Sequence, residues 1–460
     1  MERLRHLVVI VPGILGSVLE DPAGRTLWGS GLWQVGRRLV RLAALSLAEN
    51  PRLVPTGLLP TIEVVPPVVR MPGYDGLVRM LRNCFANVVV DTAHPDRAPV
   101  AAANVLEVPY DFRVGVELAA EYVRDQVEKR LGPLQASARR RRLIVVAHSM
   151  GGLVARHWLG PGGGAPDCAA LITLGTPHAG APKALNLLVN GVRLGPKVFR
   201  GLTALAREWN SVYDLLPRYP AIAAADDTKK YPYELAVMSD PRARRAHRTH
   251  VDIDTAWGAL AEHPQITAVF SRGHKTLLRA SLGLDGVLSV TNEPAEWLPN
   301  PTWAGDGTVP ADSAIPNDLA NRQSWLAVPQ RHLPMAAAPA TLDILRNLAG
   351  ADTHAMRGDS PARPWLGLDL EETYPAGQTV ELSAQLFGAE PCDATAVWVR
   401  VRAVDEPSDW HRVRAERRGD AWTASVTGLG PGTYDVRVDA VAVPGVDQVR
   451  CEDLIGVVQA

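Results

Sequence analysis

Residues Leu143–Gly152 read LIVVAHSMGG. The unbroken apolar run Leu143–Ala147 is what a strand buried on both faces requires, and Leu153, Val154 and Trp158 beyond the turn share one face of a helix. Between them lies the pattern small-x-Ser-x-Gly, with Ala147, Ser149 and Gly151 at its three fixed positions. A strand that turns this sharply into a helix projects the serine hydroxyl above the sheet, and small neighbours avoid collision at the strained turn. Ala147 stands where glycine is commoner. The strand before and the helix after point to Ser149 as a nucleophile, with an ordinary turn serine as the alternative.

Outward from this segment the same alternation recurs. Leu7–Val11, Val105–Val108, Leu171–Leu174 and Ile266–Phe270 are further strand-length apolar runs. Val114–Leu131 carries Leu118, Tyr122, Val123, Val127 and Leu131 at roughly helical spacing and stops at Gly132-Pro133, and Thr341–Leu348 reads as a closing helix. The predicted fold is α/β, an α/β-hydrolase sandwich over residues 1–350, in which ligands bind beyond the carboxyl ends of the strands. The alternation lapses at about 27–69 and 182–261, stretches long enough to be lid or cap inserts. Their apolar residues, among them Leu27, Trp28, Leu32, Trp33, Leu185, Leu187, Leu188 and Val189, suit either a satellite core or a lipid-facing lid. Residues 351–363 turn polar and read as a linker. From 364 to 460 the period shortens to two, with Gly and Pro punctuation, which predicts an all-β immunoglobulin-like sandwich of about seven strands. No catalytic arrangement is legible there, so the sandwich is expected to be dispensable for the chemistry.

Composition narrows the function classes. With 460 residues, 47% hydrophobic and 21% charged, the chain can bury at least one full core and is long enough for two domains. A formal net charge of -1 favours neither nucleic acid nor an anionic membrane, and the basic runs Arg139–Arg142 and Arg242–Arg248 read as solvated faces. No apolar run is long enough for a membrane span, and the run Leu7–Pro12 is too short for a secretory leader, so a cytoplasmic location is expected, with any lipid contact peripheral. Cys84, Cys168, Cys392 and Cys451 lack metal-ligand spacing, and no metal or cofactor is expected; the separation of Cys392 and Cys451 leaves their pairing open.

A serine hydroxyl needs an imidazole to take its proton and an acid to hold the imidazole in the useful tautomer. The fold's order of serine, acid, histidine excludes His6, His94 and His148 as the base. Downstream, GDGTVP places Asp306 in a tight glycine turn, with Asp312 in reserve. His332, in VPQRHLP, is the histidine between Asp306 and the linker, with His354 on the linker as a competitor. Two backbone donors must meet the developing alkoxide. Met150 supplies one by following the serine, and the turn VPGILGS most simply supplies the other through the Ile14 amide. Neither Walker nor Rossmann spacing occurs in that turn.

These motifs together resemble the lecithin:cholesterol acyltransferase family. VPGILGS at 11–17, PYDFR at 109–113, AHSMGG at 147–152, TLGTPHAG at 173–180 and GDGTVP at 305–310 follow the family order over about 320 residues. The resemblance implies an acyl-enzyme on Ser149, with Asp306 as acid, His332 as base, and Ile14 and Met150 at the oxyanion positions. It implies a lipid-like ester with an apolar acyl chain as partner, and transfer of the acyl group to an alcohol or to water. Ile14 stands where phospholipase members carry an acidic residue, so acid-optimised activity is not implied. The region 27–69 lacks the cysteines of the disulfide-clipped membrane-binding insert of extracellular members. An esterase for a soluble ester, and a binding protein on a retired hydrolase fold, are the competing readings.

Overall fold

The computed structural model describes residues 3–29, 43–65, 69–132, 139–194, 197–226, 228–238, 240–319, 321–349, 364–404 and 409–458. Among them, seven parallel strands build one sheet: β1 (Leu7–Val11), β2 (Val90–Thr92), β3 (Val105–Glu107), β4 (Leu143–His148), β5 (Cys168–Leu174), β6 (Gln265–Ser271) and β7 (Trp325–Val328). Their order is β7-β6-β5-β4-β1-β3-β2. The chain works toward one edge after β1 and toward the other after β4. The β1–β4 boundary is therefore the switch point at which departing loops diverge and leave a crevice. Val11 is opposite Ala147, and His148 is opposite Leu174, so the loops after β1, β4 and β5 leave the sheet side by side.

The β-branched residues of β1 and β4 pack this sheet. Val8, Val9, Ile10, Val11, Val145 and Val146 are all buried, each contributing about 1.5–3 kcal/mol by leaving water. Helix α1 (Val116–Leu131) covers the sheet with Val116, Ala119, Ala120, Val123, Val127 and Leu131, three or four residues apart as one helical face requires. Leu118, expected on that face, points to solvent. Helix α2 (Met150–Leu159) leaves β4 directly and is almost wholly buried.

The two inserts are not bare loops. Ser17–Glu20, Thr26–Trp28 and Val54–Leu58 form a small antiparallel sheet, and helices Pro182–Asn190, Arg200–Glu208 and Pro241–Gly258 punctuate the second insert. Trp28, Leu185 and Leu188 are buried in the main core, with Leu27, Leu187 and Val189 packed against it. For these residues the core explanation holds; Leu32 and Trp33 lie outside the described residues. The basic runs are paired as well as solvated: Arg139 meets Asp167, Arg140 meets Glu262, and Arg242 meets Asp240 while lying over Tyr213.

From Trp365 onward two β-sheets face each other. One has the order β8-β10-β14-β13, from β8 (Trp365–Asp369), β10 (Val380–Phe387), β13 (Glu416–Arg418) and β14 (Ala421–Val426). The other, β9-β16-β15-β11-β12, comprises β9 (Thr373–Pro375), β11 (Ala396–Ala403), β12 (His411–Arg414), β15 (Gly432–Val443) and β16 (Val446–Val458). Alternate residues such as Leu382, Ala384, Val399, Val401, Val436 and Val438 fill a second core between them. The two cores are not insulated, because Leu454 of β16 belongs to the first. Cys392 and Cys451 are both free, as are Cys84 and Cys168.

Candidate active site

Ser149 occupies the corner between β4 and α2 with φ 53° and ψ −128°, a left-handed backbone that costs a non-glycine residue about 1–3 kcal/mol. Its amide donates to the Leu174 carbonyl at 2.8 Å, which fixes the corner to β5. Small residues make the corner possible. A Cβ on Gly13 would stand 2.8 Å from that of Ser149, and one on Gly151 would strike the carbonyl oxygens of Pro12 and, at 2.6 Å, of Val11. Gly151→Ala would ordinarily help a helix by removing glycine's entropy cost. Here, where the obstacle is backbone, it is expected to destabilise by about 3 kcal/mol, and a denaturant midpoint equal to wild type would refute the close packing.

His332 follows β7 in the loop opening at Pro329, and Asp306 sits in the glycine turn before Pro310. The Ser149 hydroxyl is 2.8 Å from His332 Nε2, and His332 Nδ1 is 2.7 Å from Asp306 Oδ2. Although the Asp306 carboxyl is buried, the adjacent His332 and the amides of Thr308 and Val309, at 2.9 and 2.7 Å from Oδ1, hold its pKa below the ordinary value. An ionised carboxylate only accepts, so Nδ1 carries the imidazole proton and Nε2 accepts from the serine. The His332 amide also donates to the Asp306 carbonyl at 3.0 Å. The structure thus brings together Ser149, Asp306 and His332. Asp312 lies apart, accepting from the Asn300 amide and side chain at 3.0 and 2.7 Å; His354 lies outside the described residues.

The oxyanion candidates adjoin Ser149 in the chain and through Gly13. Met150 is the first residue of α2, where an amide has no partner within the helix. Ile14 is in the tight turn closed by the Gly16 amide on the Gly13 carbonyl at 3.1 Å, next to Gly13 against Ser149.

Four supporting residues escape a sequence reading. The Gly13 amide donates to the Tyr74 hydroxyl at 2.8 Å, Tyr74 donates to His148 Nδ1 at 2.9 Å, and His148 Nε2 donates to the His332 carbonyl at 3.0 Å. Burial pushes His148 down to about 3, which keeps it neutral as this relay requires. His274, also buried and pushed down to about 4, accepts from the Leu368 amide through Nδ1 and donates through Nε2 to the Pro329 carbonyl at 3.0 Å. Gly175 has φ +57°, and a Cβ there would come within 2.9 Å of Asp306 Oδ2 and 3.0 Å of His332 Nδ1. The TLGTPHAG stretch offered a signal for Gly175. Tyr74 and His274 had none, since their partners are distant in sequence. Among the described residues no group of acidic, histidine or cysteine side chains is arranged to hold a metal, and no helix is long and apolar enough to cross a membrane.

Residues 99–257 match the model of the lecithin:cholesterol acyltransferase family, a stretch that contains PYDFR, AHSMGG and TLGTPHAG. The resemblance read from the motifs is found again there. Over 209 residues, 44% of the chain, the sequence is 25% identical to an uncharacterized protein of Saccharomyces cerevisiae. That match spans 27% of the yeast protein, so the chain covers about a quarter of this relative. Among solved structures, similarity extends to Bacillus licheniformis lipase BlEst2. Its propeptide form covers 98% of this chain and 93% of its own at 11% identity and TM-score 0.32. Its mature form covers 75% and 92% at 14% identity and TM-score 0.31. A CARDB domain from Pyrococcus furiosus matches over 21% of this chain and 94% of its own, at 12% identity and TM-score 0.16.

Proposed function

We propose that this chain is a serine acyl hydrolase or acyltransferase for lipid-like carboxylic esters, working through an acyl-Ser149 intermediate. The observation that carries this reading is the hydrogen-bonded line Asp306–His332–Ser149 at the switch point of the parallel sheet. The family match supports the acyl-transfer class.

In this mechanism Ser149 Oγ attacks the ester carbonyl while His332 Nε2 takes its proton, and Asp306 stabilises the imidazolium through Nδ1–H. The Ile14 and Met150 amides meet the charge that develops on the carbonyl oxygen. His332 then protonates the departing alcohol as the tetrahedral centre collapses to the acyl-serine. A second alcohol or water then attacks the acyl carbonyl while giving its proton to His332; the tetrahedral centre collapses by breaking the bond to Ser149 Oγ, and His332 returns the proton to that oxygen. The Tyr74–His148 relay holds the His332 carbonyl, and so the imidazole, in register with the serine.

Within the same reading, residues 1–350 form the acyl-transfer domain, 351–363 the linker and 364–460 an immunoglobulin-like accessory sandwich. The inserts 27–69 and 182–261 form the cap. Leu27–Leu45 and Pro182–Leu205 are rich in apolar residues; Trp28, Leu185 and Leu188 are taken up by the main core, so the channel is assigned to the rest of these stretches, where each CH₂ taken from water contributes about 0.8 kcal/mol, close to fourfold in affinity. Longer acyl chains are therefore expected to acylate faster than acetyl. Mass spectrometry of the intact protein after incubation with esters from acetyl to palmitoyl, with and without an acceptor alcohol, reads both the acyl mass on Ser149 and the product. Acylation by acetyl donors alone would replace the lipid substrate with a soluble ester. Long-chain acylation that yields only free acid, whatever alcohol is added, would leave a hydrolase and remove the transferase.

A further inference from the structure

The residue before His332 is held from outside the α/β core. Arg331 is 6% exposed, and its Nη1 lies 2.9 Å from Asp453 Oδ2 on β16 and donates to the Leu370 carbonyl just past β8, also at 2.9 Å. The other edge of the guanidinium rests on the Asp306 turn. Gly307 there has φ +94°, and a Cβ on it would stand 2.6 Å from Arg331 Nη2. One side chain from the loop carrying His332 thus touches the turn carrying Asp306 and, in the C-terminal sandwich, strand β16 and the segment after β8. A second stitch runs parallel to it: Lys183 Nζ is 3.2 Å from Thr308 Oγ1 in the same turn and 2.6 Å from Glu372 Oε1 between β8 and β9.

We propose that the C-terminal sandwich is part of the scaffold of the active site, with Arg331, clamped by Asp453 and the Leu370 carbonyl, as a positioning residue that holds the His332 loop against the Asp306 turn. This reverses the sequence-based expectation that the sandwich is dispensable for the chemistry. It rests on the proposed role of Ser149, Asp306 and His332. The physical ground is that acyl transfer needs the imidazole aligned with both neighbours, and a displacement of about 1 Å from a change outside the reacting groups costs up to about a hundredfold in rate. A guanidinium tied through Nη1 to a carboxylate and a carbonyl, with its other edge packed on the glycine turn, has little room to move and holds the residue next to His332.

The test uses the full chain and a paired substitution, Arg331→Met with Asp453→Leu, which removes both buried charges together. Exchanging a buried ion pair for apolar groups of similar volume commonly leaves stability intact, whereas removing one partner does not. The readouts are the thermal midpoint, the rate at which a fluorophosphonate probe labels Ser149, and kcat and KM for a short soluble ester. The expected result is an unchanged midpoint, labelling and kcat reduced about ten- to hundredfold, and KM within about threefold of wild type. Equal labelling rates and kcat at an equal midpoint would overturn the clamp. Should the double variant not fold, Asp453→Asn keeps the shape and loses one charge; its midpoint is expected to fall, and at a temperature where it is folded labelling and kcat are expected to drop about three- to tenfold, wild-type rates there overturning the clamp equally. A wild-type protein that the probe does not label overturns the role of Ser149, and the clamp falls with it. The two failures are distinguished by the wild-type control.

Discussion

Ser149→Ala is expected to lower acyl turnover by about 10^4-fold or more while the folded structure persists. Alanine keeps the amide that binds the Leu174 carbonyl and adds no bulk against Gly13, so the corner retains its anchor. What it removes is the only proposed atom that forms a bond with the acyl group. Residual turnover would come from the oxyanion donors and substrate binding alone, a route that still leaves some acceleration over water. Two measurements decide the matter: kcat against a soluble ester, and the acyl mass on the protein after incubation with it. Turnover within tenfold of wild type, or an acyl adduct of undiminished yield on the alanine variant, would remove Ser149 from the mechanism.

The second large effect is on stability. Burial pushes His148 down to about 3, His250 and His274 down to about 4, and His178 well below its ordinary value. All four are therefore neutral in the folded protein, while in the unfolded chain they take up protons near pH 6.5. Because the folded values are the depressed ones, the contribution to stability is complete above pH 6.5 and is lost as pH falls toward about 4. Each such group costs about 1.4 kcal/mol per pH unit inside that window. Asp214 works the other way: burial pushes it up to about 6, so its destabilising charge is relieved over part of the same range. With four groups losing and one gaining, the net change between pH 7 and 5 is a loss of several kcal/mol, comparable to the whole stability of many domains. Denaturant midpoints are expected to drop steeply over that interval. His250→Gln preserves a donor to the Asp214 carbonyl, which His250 Nε2 meets at 2.7 Å, and is expected to flatten the dependence by about one proton. A midpoint constant from pH 7 to 5 would contradict the neutral assignments.

The parts of this architecture legible in the sequence are those whose information is local. β1, β4, β5 and β6 are buried on most positions and read as unbroken apolar runs. β2 and β7 escaped because they are the edge strands, with Trp325, Leu326 and Ala327 only partly buried or exposed. In the sandwich β10, β11 and β14 alternate cleanly, whereas β16 places charges inward: Asp453 is buried against Arg331, a position that reads as solvent-facing until the partner is known. Leu118 illustrates the converse, an apolar residue one step off the true face of α1. Ser149, Asp306 and His332 were legible because the strand-turn-helix context and the chain order select them. Tyr74 and His148, and His274 and Leu368, meet across 74 and 94 residues of chain, and no local pattern marks such a meeting.

The contact between Arg331 and Asp453 also orders events in time. A ribosome delivers the chain from its amino end at about 5–20 residues per second, and Asp453 emerges about 120 residues after His332. For some ten seconds of synthesis the nascent protein has Ser149, Asp306 and His332 in hand but lacks Asp453, the partner of Arg331. If the clamp sets the imidazole, translation itself acts as a timer: acyl transfer at full rate waits for Asp453, long after the three reacting groups have been made.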